Sequence, residues 1–389
     1  MKKKLRVGVL FGGRSGEHEV SLQSAASILE AIDREKYEVT PIGITKEGRW
    51  LSGTAAHDLL EGEVGEAAEK LRAAVGKSCG VKLLEEGIPT LLAPEPTEGT
   101  GLKPSRESGP AESLDVVFPV LHGTFGEDGT VQGLFELAGI AYVGSGVLGS
   151  SAGMDKDVMK RLFKEAKLPL VKHVTLLRAA WEGAPRKAIA KVEAALKYPV
   201  FVKPANLGSS VGISKAHDRA ELKKALDLAA KYDRKLVVEQ GVGGKKARAR
   251  EFEVAVLGND DPKASVVGEI VPDKEFYDYE SKYLSEGSVP VIPAKLSRAE
   301  AKQMREMAVE AFRACDLSGL ARVDFLMDPG PSRKIYLNEV NTLPGFTRIS
   351  MYPKLWDATG ITYRSLISQL IELALERHQE KARTVYSRD

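Results

Sequence analysis

The chain has 389 residues, 43% of them hydrophobic and 28% charged, and its 56 Lys and Arg side chains nearly balance 54 Asp and Glu. That is the composition of a globular protein of two or three domains, and a net charge of +2 argues against a dedicated nucleic-acid surface. No apolar run reaches the roughly 20 residues needed to cross a membrane, and two distant cysteines indicate a reducing, cytoplasmic compartment without disulfides.

The first predicted unit is a β-strand, a glycine turn and a helix. An apolar run at 6–11 leads into Gly12 and Gly13, and the segment 20–32 has the composition of a helix. Glu17 and Glu19 lie in the turn, where they oppose phosphate binding. They can receive a cationic group such as an ammonium, or they can favour the helix dipole, and this stretch leaves both alternatives open.

Two further strands are predicted at 37–44 and 114–121, with an insertion at 52–113 between them. The insertion is rich in Gly, Pro, Ser and Glu, so we expect one helix, a mobile loop and no catalytic role. His122 and several glycines follow the strand at 114–121, at the carboxyl end where open α/β sheets bind ligands. Taken singly, a packed structural histidine is the favoured alternative.

Two lysines are candidate phosphate ligands. Lys156 begins a helix, and without context a surface lysine is the favoured interpretation. Lys203 ends a strand and precedes a loop that contains Gly208, Ser209 and Ser210. Backbone amides and hydroxyls of such a loop can cap phosphates, so this order favours phosphate binding over a generic hairpin turn.

The later part of the chain is predicted to contain strands at 235–242, 250–258 and 266–271. The aromatic, polar segment at 276–283 is typical of a loop that packs over another part of the molecule. Ser297 and Glu300 form a capping box, and the helix they begin has Met304 and Met307 on its buried side. A C-terminal helix is predicted at 363–378.

A hairpin at 320–341 carries the densest group of polar candidates. Alternation places Arg322 and Asp324 on one face of its first strand, and it predicts a shared face for Ile335, Leu337, Glu339 and Asn341 in the second. Asp324, Glu339 and Asn341 can converge as hard oxygen ligands for Mg²⁺, whereas a polar, solvated hairpin is the alternative. The turn after Asn341 contains Gly345, whose backbone can approach an anion, and Ser350 follows within reach.

Several motifs occur together in the order found in one enzyme family. They are GGRSGEHEVSL, LHGTFGEDGTVQG, MDK, YPVFVKPANLGSSVGISK, REFEVAVLG, YDYESKY, ARVDF and NEVNTLPGFT. Over nearly the whole chain apart from 52–113, the sequence resembles the D-alanine–D-alanine ligases of the ATP-grasp superfamily. The resemblance implies an α/β protein, with α+β character in the ATP-binding part, and three domains. These are a Rossmann-like parallel-sheet domain at 1–150, a central domain at 151–240 and a C-terminal domain at 241–389.

The resemblance also implies an activity. The family joins two D-alanine molecules at the expense of ATP, through a D-alanyl phosphate, for peptidoglycan precursor synthesis. ATP is a substrate and two Mg²⁺ or Mn²⁺ ions are cofactors, and the family is usually homodimeric. Rival interpretations are a ligase that uses D-lactate or D-serine as second substrate and an ATP-binding module without catalysis. Tyr283 favours an amine nucleophile, and the complete catalytic set disfavours the module.

Roles in nucleotide and metal binding follow from the resemblance. Lys156 and Lys203 would hold the phosphates, and the loop with Ser209 and Ser210 would close over them. The adenine and ribose would contact Glu239, Gln240, Val242 and Glu251. The metal ions would be held by Asp324, Glu339 and Asn341.

Roles toward the amino-acid substrates follow in the same way. Glu17 would receive the ammonium of the first D-alanine, with His122 in the same region. Lys282 and Ser350 would bind the carboxylate of the second. Catalysis would further involve Arg322 and the Gly345 amide at the oxyanion, and Tyr283 with Ser209 at the closing loop.

Overall fold

A computed structural model describes residues 3–52, 56–60, 90–92, 102–104, 114–208, 210–243, 248–272 and 288–387. Their strands form one largely parallel sheet, two antiparallel sheets and a two-stranded pair. The expected α/β class with an α+β part is confirmed. Most of the predicted insertion at 52–113 lies outside the described residues. No helix in the described ranges is long and apolar enough to cross a membrane.

The elements have the following bounds. The strands are β1 (Leu5–Gly12), β2 (Tyr37–Ile44), β3 (Trp50–Ser52), β4 (Thr90–Leu92), β5 (Leu102–Pro104), β6 (Val116–Val120), β7 (His173–Leu177), β8 (Val200–Pro204), β9 (Ser214–Ala216), β10 (Lys235–Gln240), β11 (Arg250–Gly258), β12 (Lys263–Pro272), β13 (Ser288–Val291), β14 (Gly319–Met327) and β15 (Ile335–Asn341). The helices are α1 (His18–Ala31), α2 (Thr130–Leu137), α3 (Val147–Met154), α4 (Lys156–Glu165), α5 (Arg178–Gly183), α6 (Pro185–Ala195), α7 (Arg219–Tyr232), α8 (Arg298–Ala314), α9 (Met351–Asp357) and α10 (Tyr363–Ala382).

The first sheet has the order β3-β2-β1-β6, and β1 is parallel to both β2 and β6. Apolar side chains on both faces suit a sheet covered on two sides, since Val9 packs in one core and Leu10 in another. The chain leaves β1 through Gly12 and Gly13, at φ values of +86° and +100° that favour glycine. The carboxyl ends of β1 and β6 therefore bring Glu17 and His122 to one edge.

The second sheet has the order β7-β10-β8-β9 and is antiparallel. Its β-branched residues pack against α6 and α7 in one apolar core, which fixes the sheet's inner face. In the register of β8 and β10, Lys203 lies opposite Val237 and Phe201 lies opposite Glu239. Lys203 and Glu239 are thus diagonal neighbours on one face, close enough for long side chains to pair.

The third sheet has the order β13-β12-β11-β14-β15 and is antiparallel. On one face it packs against α8, whose predicted capping box of Ser297 and Glu300 is present and whose Met304 and Met307 are buried as expected. The opposite face contributes Ala255, Leu257 and other residues to a core shared with the first sheet and the C-terminal helices. This junction sets the position of the site.

A β-bulge in β15 overturns one prediction. Asp324 pairs with Glu339 and the adjacent Phe325 pairs with Leu337, so β15 holds one extra residue, Asn338, at this point. Ile335, Leu337 and Val340 all pack in the α8 core, whereas Glu339 and Asn341 face a cavity. The expected shared face of Ile335, Leu337, Glu339 and Asn341 is therefore wrong, because the bulge reverses the alternation.

Candidate active site

A cavity of about 310 Å³ lies where the three sheets meet. Its walls come from the turn after β1, the segment after β6, the loop after β8, and the face of the third sheet. The cavity is lined by predicted site residues from all parts of the chain, namely Glu17, His122, Lys156, Ser210, Arg322, Glu339, Asn341, Gly345 and Ser350. Residues separated by up to several hundred positions thus share one concave surface, the usual form of a small-molecule site.

Glu17 is buried, and it occupies the N-cap position of α1 without a side-chain capping hydrogen bond. Two glycines leave room for its carboxylate. A Cβ on Gly123 would lie 2.4 Å from Glu17 Oε2, and a Cβ on Gly208 would lie 2.8 Å from the same atom. Glu19 has a different environment, since it is exposed and pairs with Lys46 at 2.6 Å. Of the two acids, only Glu17 lines the cavity.

His122 is buried and both of its ring nitrogens have partners. Nδ1 lies 2.9 Å from the carbonyl oxygen of Leu343, and Nε2 lies 3.1 Å from Ser24 Oγ. Because a carbonyl only accepts, Nδ1 carries the proton and Nε2 accepts from the serine. Burial lowers the pKa of His122, which favours this neutral form. His122 therefore lines the cavity and also ties the first sheet to the turn after β15.

Glu127 is a cavity residue that the sequence interpretation did not single out. Its Oε1 accepts a hydrogen bond of 2.9 Å from the Gly123 amide. Burial, together with the nearby charge of Glu17, raises the pKa of Glu127 to about 8. The sequence could have identified Glu127 as a site residue, because it follows His122 within the same glycine-rich segment. Glu17 and Glu127 thus lie as neighbouring carboxyl groups on one wall of the cavity.

The helix α4 directs Lys156 into the cavity. Asp155 caps the helix by accepting from the amides of Asp157 and Val158, so Lys156 is the first helical residue. Its Nζ donates to the carbonyl oxygen of Leu207 at 2.8 Å and lies 3.7 Å from Glu339 Oε2. Lys156 is buried, so the alternative of a surface lysine is wrong.

The loop after β8 approaches the same wall. Gly208 and Ser210 line the cavity, and Ser210 has a φ of +60°, a left-handed conformation that is uncommon for a serine. Ser209 lies outside the described residues. The loop therefore lies beside Lys156 and Glu17, where it can cover a ligand.

Arg322 lies between two carboxylates on the third sheet. Its Nε and Nη2 donate to Asp324 Oδ1 and Oδ2, each at 2.7 Å, in a bidentate pair. Its Nε also lies 3.2 Å from Glu253 Oε2. Arg322 and Asp324 share a face, as predicted. Glu253 was not predicted, although it follows Glu251 by two residues, and this spacing alone places both acids on one face of β11.

The turn after β15 brings a backbone segment and a hydroxyl group to the cavity. Ser350 Oγ lies 2.8 Å from Thr347 Oγ1 and accepts from the Thr347 amide at 3.1 Å. A Cβ on Gly345 would lie 3.2 Å from Ser350 Oγ, so glycine permits the close approach of these two segments.

A second polar group, the lysine–glutamate cluster of Lys160, Lys203, Glu239 and Asn338, lies beside the cavity without lining it. Each oxygen of the Glu239 carboxylate lies 2.8 Å from one ammonium group, Oε1 from Lys160 and Oε2 from Lys203. The two ammonium groups hold the pKa of Glu239 well below its usual range despite its burial. Lys160 follows Lys156 by one helical turn, a signal that could have identified it.

The remaining predicted residues lie away from the cavity or outside the described ranges. Gln240 accepts from the Lys197 amide through its side chain at 3.1 Å, and Glu251 pairs with Arg248 at 2.9 Å. Val242 follows the end of β10 and is half-buried. Lys282 and Tyr283 lie outside the described residues, so their roles stay predictions.

The residues proposed for metal binding fit a hard divalent cation by their chemistry. Asp324 and Glu339 occupy opposite positions on β14 and β15, as do Arg322 and Asn341. The set offers two carboxylates and an amide oxygen, which Mg²⁺ and Mn²⁺ prefer. Within the described ranges, no group of three or more His, Cys, Asp or Glu side chains is arranged to hold a metal. A site here would therefore depend on Asn341 and on ligands from a substrate.

Comparison with known families identifies relatives of the whole chain. The model described as "D-ala D-ala ligase N-terminus" matches residues 6–145, and "D-ala D-ala ligase C-terminus" matches residues 162–372. The D-alanine--D-alanine ligase of Natranaerobius thermophilus is 50% identical over 381 residues, which cover 98% of each chain. The enzyme of the same name from Bacillus cytotoxicus is 48% identical over 385 residues, which cover 99% of each.

Solved structures agree with these relatives. The D-alanine-D-alanine ligase from Coxiella burnetii has a TM-score of 0.78 and 37% identity, covering 97% of this chain and 96% of that one. The VanG D-Ala:D-Ser ligase from Enterococcus faecalis has a TM-score of 0.80 and 36% identity, covering 96% of this chain and 100% of that one.

Proposed function

Since the chain belongs to the D-alanine–D-alanine ligase family, we propose that it joins two D-alanine molecules with conversion of ATP to ADP and phosphate, for peptidoglycan precursor synthesis. The observation that carries this proposal is the cavity at the junction of the three sheets. It combines a buried carboxylate, a lysine, an arginine and oxygen ligands. These are the groups needed to hold an amino acid beside a phosphate.

The first D-alanine would bind with its ammonium group at Glu17. Glu17 is buried beside Gly123 and Gly208, so an ammonium there would exchange water for a charge-assisted hydrogen bond. This geometry supports the ammonium alternative of the sequence interpretation over a purely helix-capping role.

Phosphoryl transfer would begin the reaction. The carboxylate of the first D-alanine attacks the γ-phosphate of ATP and yields a D-alanyl phosphate and ADP. Catalysis of such a transfer consists mainly of positioning and charge neutralisation. Lys156 lies on the cavity wall and Lys203 lies behind it, paired with Glu239. Both lysines would neutralise phosphate charge, and the loop with Ser209 and Ser210 would close over the phosphates.

The second step would form the peptide bond. The amine of the second D-alanine attacks the acyl carbonyl, a tetrahedral oxyanion forms, and phosphate leaves. Arg322 and the Gly345 amide flank the same cavity and would donate to this oxyanion. Such donors are each worth about 3–4 kcal/mol in comparable sites.

We propose two Mg²⁺ or Mn²⁺ ions held by Asp324, Glu339 and Asn341. When bound, these ions would neutralise charge on the ATP phosphates. In the present arrangement both oxygens of Asp324 accept from Arg322, so the arginine and the metal share this carboxylate.

The second substrate would bind at Ser350 and Lys282, and Tyr283 with Ser209 would close the loop over it. D-Alanine is the favoured second substrate, because the relatives at about half identity bear the name D-alanine--D-alanine ligase. A relative named as a D-Ala:D-Ser ligase is 36% identical. The rival use of D-lactate or D-serine is therefore not favoured.

We further propose the nucleotide contacts and the organisation of the protein as predicted. Adenine and ribose would contact Glu239, Gln240, Val242 and Glu251. The domains would span 1–150, 151–240 and 241–389, each around one of the three main sheets. A homodimer is proposed from the family alone. A cytoplasmic location is proposed from the reaction's use of ATP and the buried free thiol of Cys315.

Incubation of the purified protein with ATP, Mg²⁺ and D-alanine tests the proposal directly. Dipeptide and phosphate should appear in equal amounts, and L-alanine should yield neither. Phosphate without dipeptide would direct the test to D-lactate and D-serine. Neither product, from a protein that still binds ATP, would refute the ligase assignment.

A further inference from the structure

Glu253 is a buried carboxylate for which the proposed reaction has no use. It lines the cavity from β11 and lies 3.2 Å from Nε of Arg322. Its position on the sheet is directly opposite Asp324, which in turn lies opposite Glu339. Three carboxylates therefore form one row across three adjacent strands.

Arg322 and a metal ion would both use the carboxylate of Asp324. Asp324 uses both of its oxygens in the bidentate pair with Arg322, at 2.7 Å each. A cation held by Asp324 and Glu339 would compete with Arg322 for the Asp324 carboxylate and would add positive charge beside the guanidinium. A buried arginine that loses its anionic partner is strongly disfavoured, so a single carboxylate cannot serve both groups well.

We propose that Glu253 is a positioning residue that holds Arg322 in place when Asp324 binds metal. This inference rests on the proposed metal site. Glu253 Oε2 lies 3.2 Å from Nε as an ion pair, whereas the hydrogen bonds from Nε and Nη2 go to Asp324. When Asp324 turns to a metal, the carboxylate of Glu253 therefore stays beside the guanidinium and holds its position. With Glu253 holding Arg322 in its orientation, Asp324 becomes available to bind the metal.

The test measures Mn²⁺ binding to the full-length protein in the presence of ADP, by electron paramagnetic resonance of free Mn²⁺, relative to the same titration with ADP and no protein. Glu253→Gln keeps the shape of the side chain and removes its charge. Without the charge of Glu253, Arg322 depends on Asp324 alone, so Mn²⁺ binding should weaken about tenfold, as expected for the loss of one close charge pair.

The matched control is Glu269→Gln. Glu269 is equally buried on the same sheet and is paired with Arg250 at 2.7 and 2.8 Å, but it does not line the cavity. Both variants lose one buried acid beside an arginine. Mn²⁺ binding should be unchanged in Glu269→Gln, and comparable thermal unfolding of the two variants would exclude a general loss of stability.

A double-mutant cycle distinguishes positioning from direct attraction of the metal. In an Arg322→Met background, Glu253→Gln should change Mn²⁺ binding by less than twofold, because no arginine remains to compete. Equal weakening in both backgrounds would mean that Glu253 acts on the metal itself, and it would overturn the proposal. No weakening in either background would overturn it as well.

A kinetic readout provides an independent check. At saturating Mg²⁺, Glu253→Gln should lower kcat about tenfold and leave the KM for ATP within twofold, because Glu253 orients a group that acts in the reaction. A raised KM with unchanged kcat would contradict this role. If the wild type itself fails to bind Mn²⁺ with ADP, the proposed metal site fails, and that failure is visible before any variant is compared.

Discussion

The space around Glu17 permits a sharp prediction for Gly208→Ala. The added Cβ would lie 2.8 Å from Glu17 Oε2, whereas ordinary contact begins at 3.4 Å, so the carboxylate must move by roughly 0.6 Å. Gly208 is not among the described glycines with positive φ, so alanine introduces no backbone strain there. The substitution therefore perturbs the carboxylate without disturbing the fold.

The size of the effect follows from the hydrogen bond between the substrate ammonium and Glu17, which the added methyl group weakens. A hydrogen bond to a charged group contributes about 1.5–3 kcal/mol, and a shift of this size removes a substantial part of it. Because the ammonium of the first D-alanine does not react, Glu17 binds it equally in the ground state and the transition state. The KM of the first D-alanine should therefore rise about tenfold while kcat changes little.

Initial rates of phosphate release over a wide range of D-alanine, fitted with two sequential D-alanine sites, measure this KM. Gly183→Ala is the control, because a Cβ there would meet nothing within 4 Å. Gly123→Ala should raise the same KM and also lower stability, since its Cβ would lie 2.4 Å from Glu17 at a φ of +75°. An unchanged KM in Gly208→Ala, or an equal rise in Gly183→Ala, would refute the placement of the ammonium at Glu17.

Three further predictions concern stability. Glu239→Gln leaves the ammonium groups of Lys160 and Lys203 without their shared carboxylate. The free energy of unfolding in urea should therefore fall by about 3–5 kcal/mol. A loss below about 1 kcal/mol would show that the three side chains are not tightly coupled. Burial raises the pKa of Glu127 from 4.5 to about 8, so the folded state binds the extra proton between these values and stability should fall as pH rises through this window. Glu127→Gln should flatten that slope, and an unchanged slope would contradict the raised pKa. Ser297→Ala removes the capping box of α8 and should cost about 1 kcal/mol in the same denaturation assay; Ser332→Ala in the β14–β15 turn serves as a comparison outside a helix cap.

Local features of the fold were predictable because their causes are local. The strand, glycine turn and helix at the N-terminus and the capping box of α8 follow from residues within a few positions of one another. The pairing of Arg322 and Asp324 on one face follows in the same way from strand alternation. Family resemblance supplied most of the remaining site residues, and the structure brings Glu17, Lys156, Arg322 and their companions to one cavity.

The features that the sequence did not predict depend on contacts between segments that are far apart in the chain. The bulge at Asn338 is a property of the pairing between β14 and β15, and the sequence of β15 alone does not record it. Lys156 looked like a surface lysine because its burial depends on the loop at Leu207, about fifty residues away. Glu253 and Lys160 acquire their partners only through contacts between distant segments.

By itself, the sequence determined the longer strands, the capping box of α8 and the chemical types of the site residues, since these depend on short-range periodicity and on side-chain identity. Only the tertiary structure decided which charges meet. It assigned Glu239 to two lysines, Arg322 to two carboxylates and His122 to the turn after β15. The physical reason is that ionic and hydrogen-bond energies depend on distance and burial, and for residues far apart in the chain both quantities are fixed by how the sheets pack together.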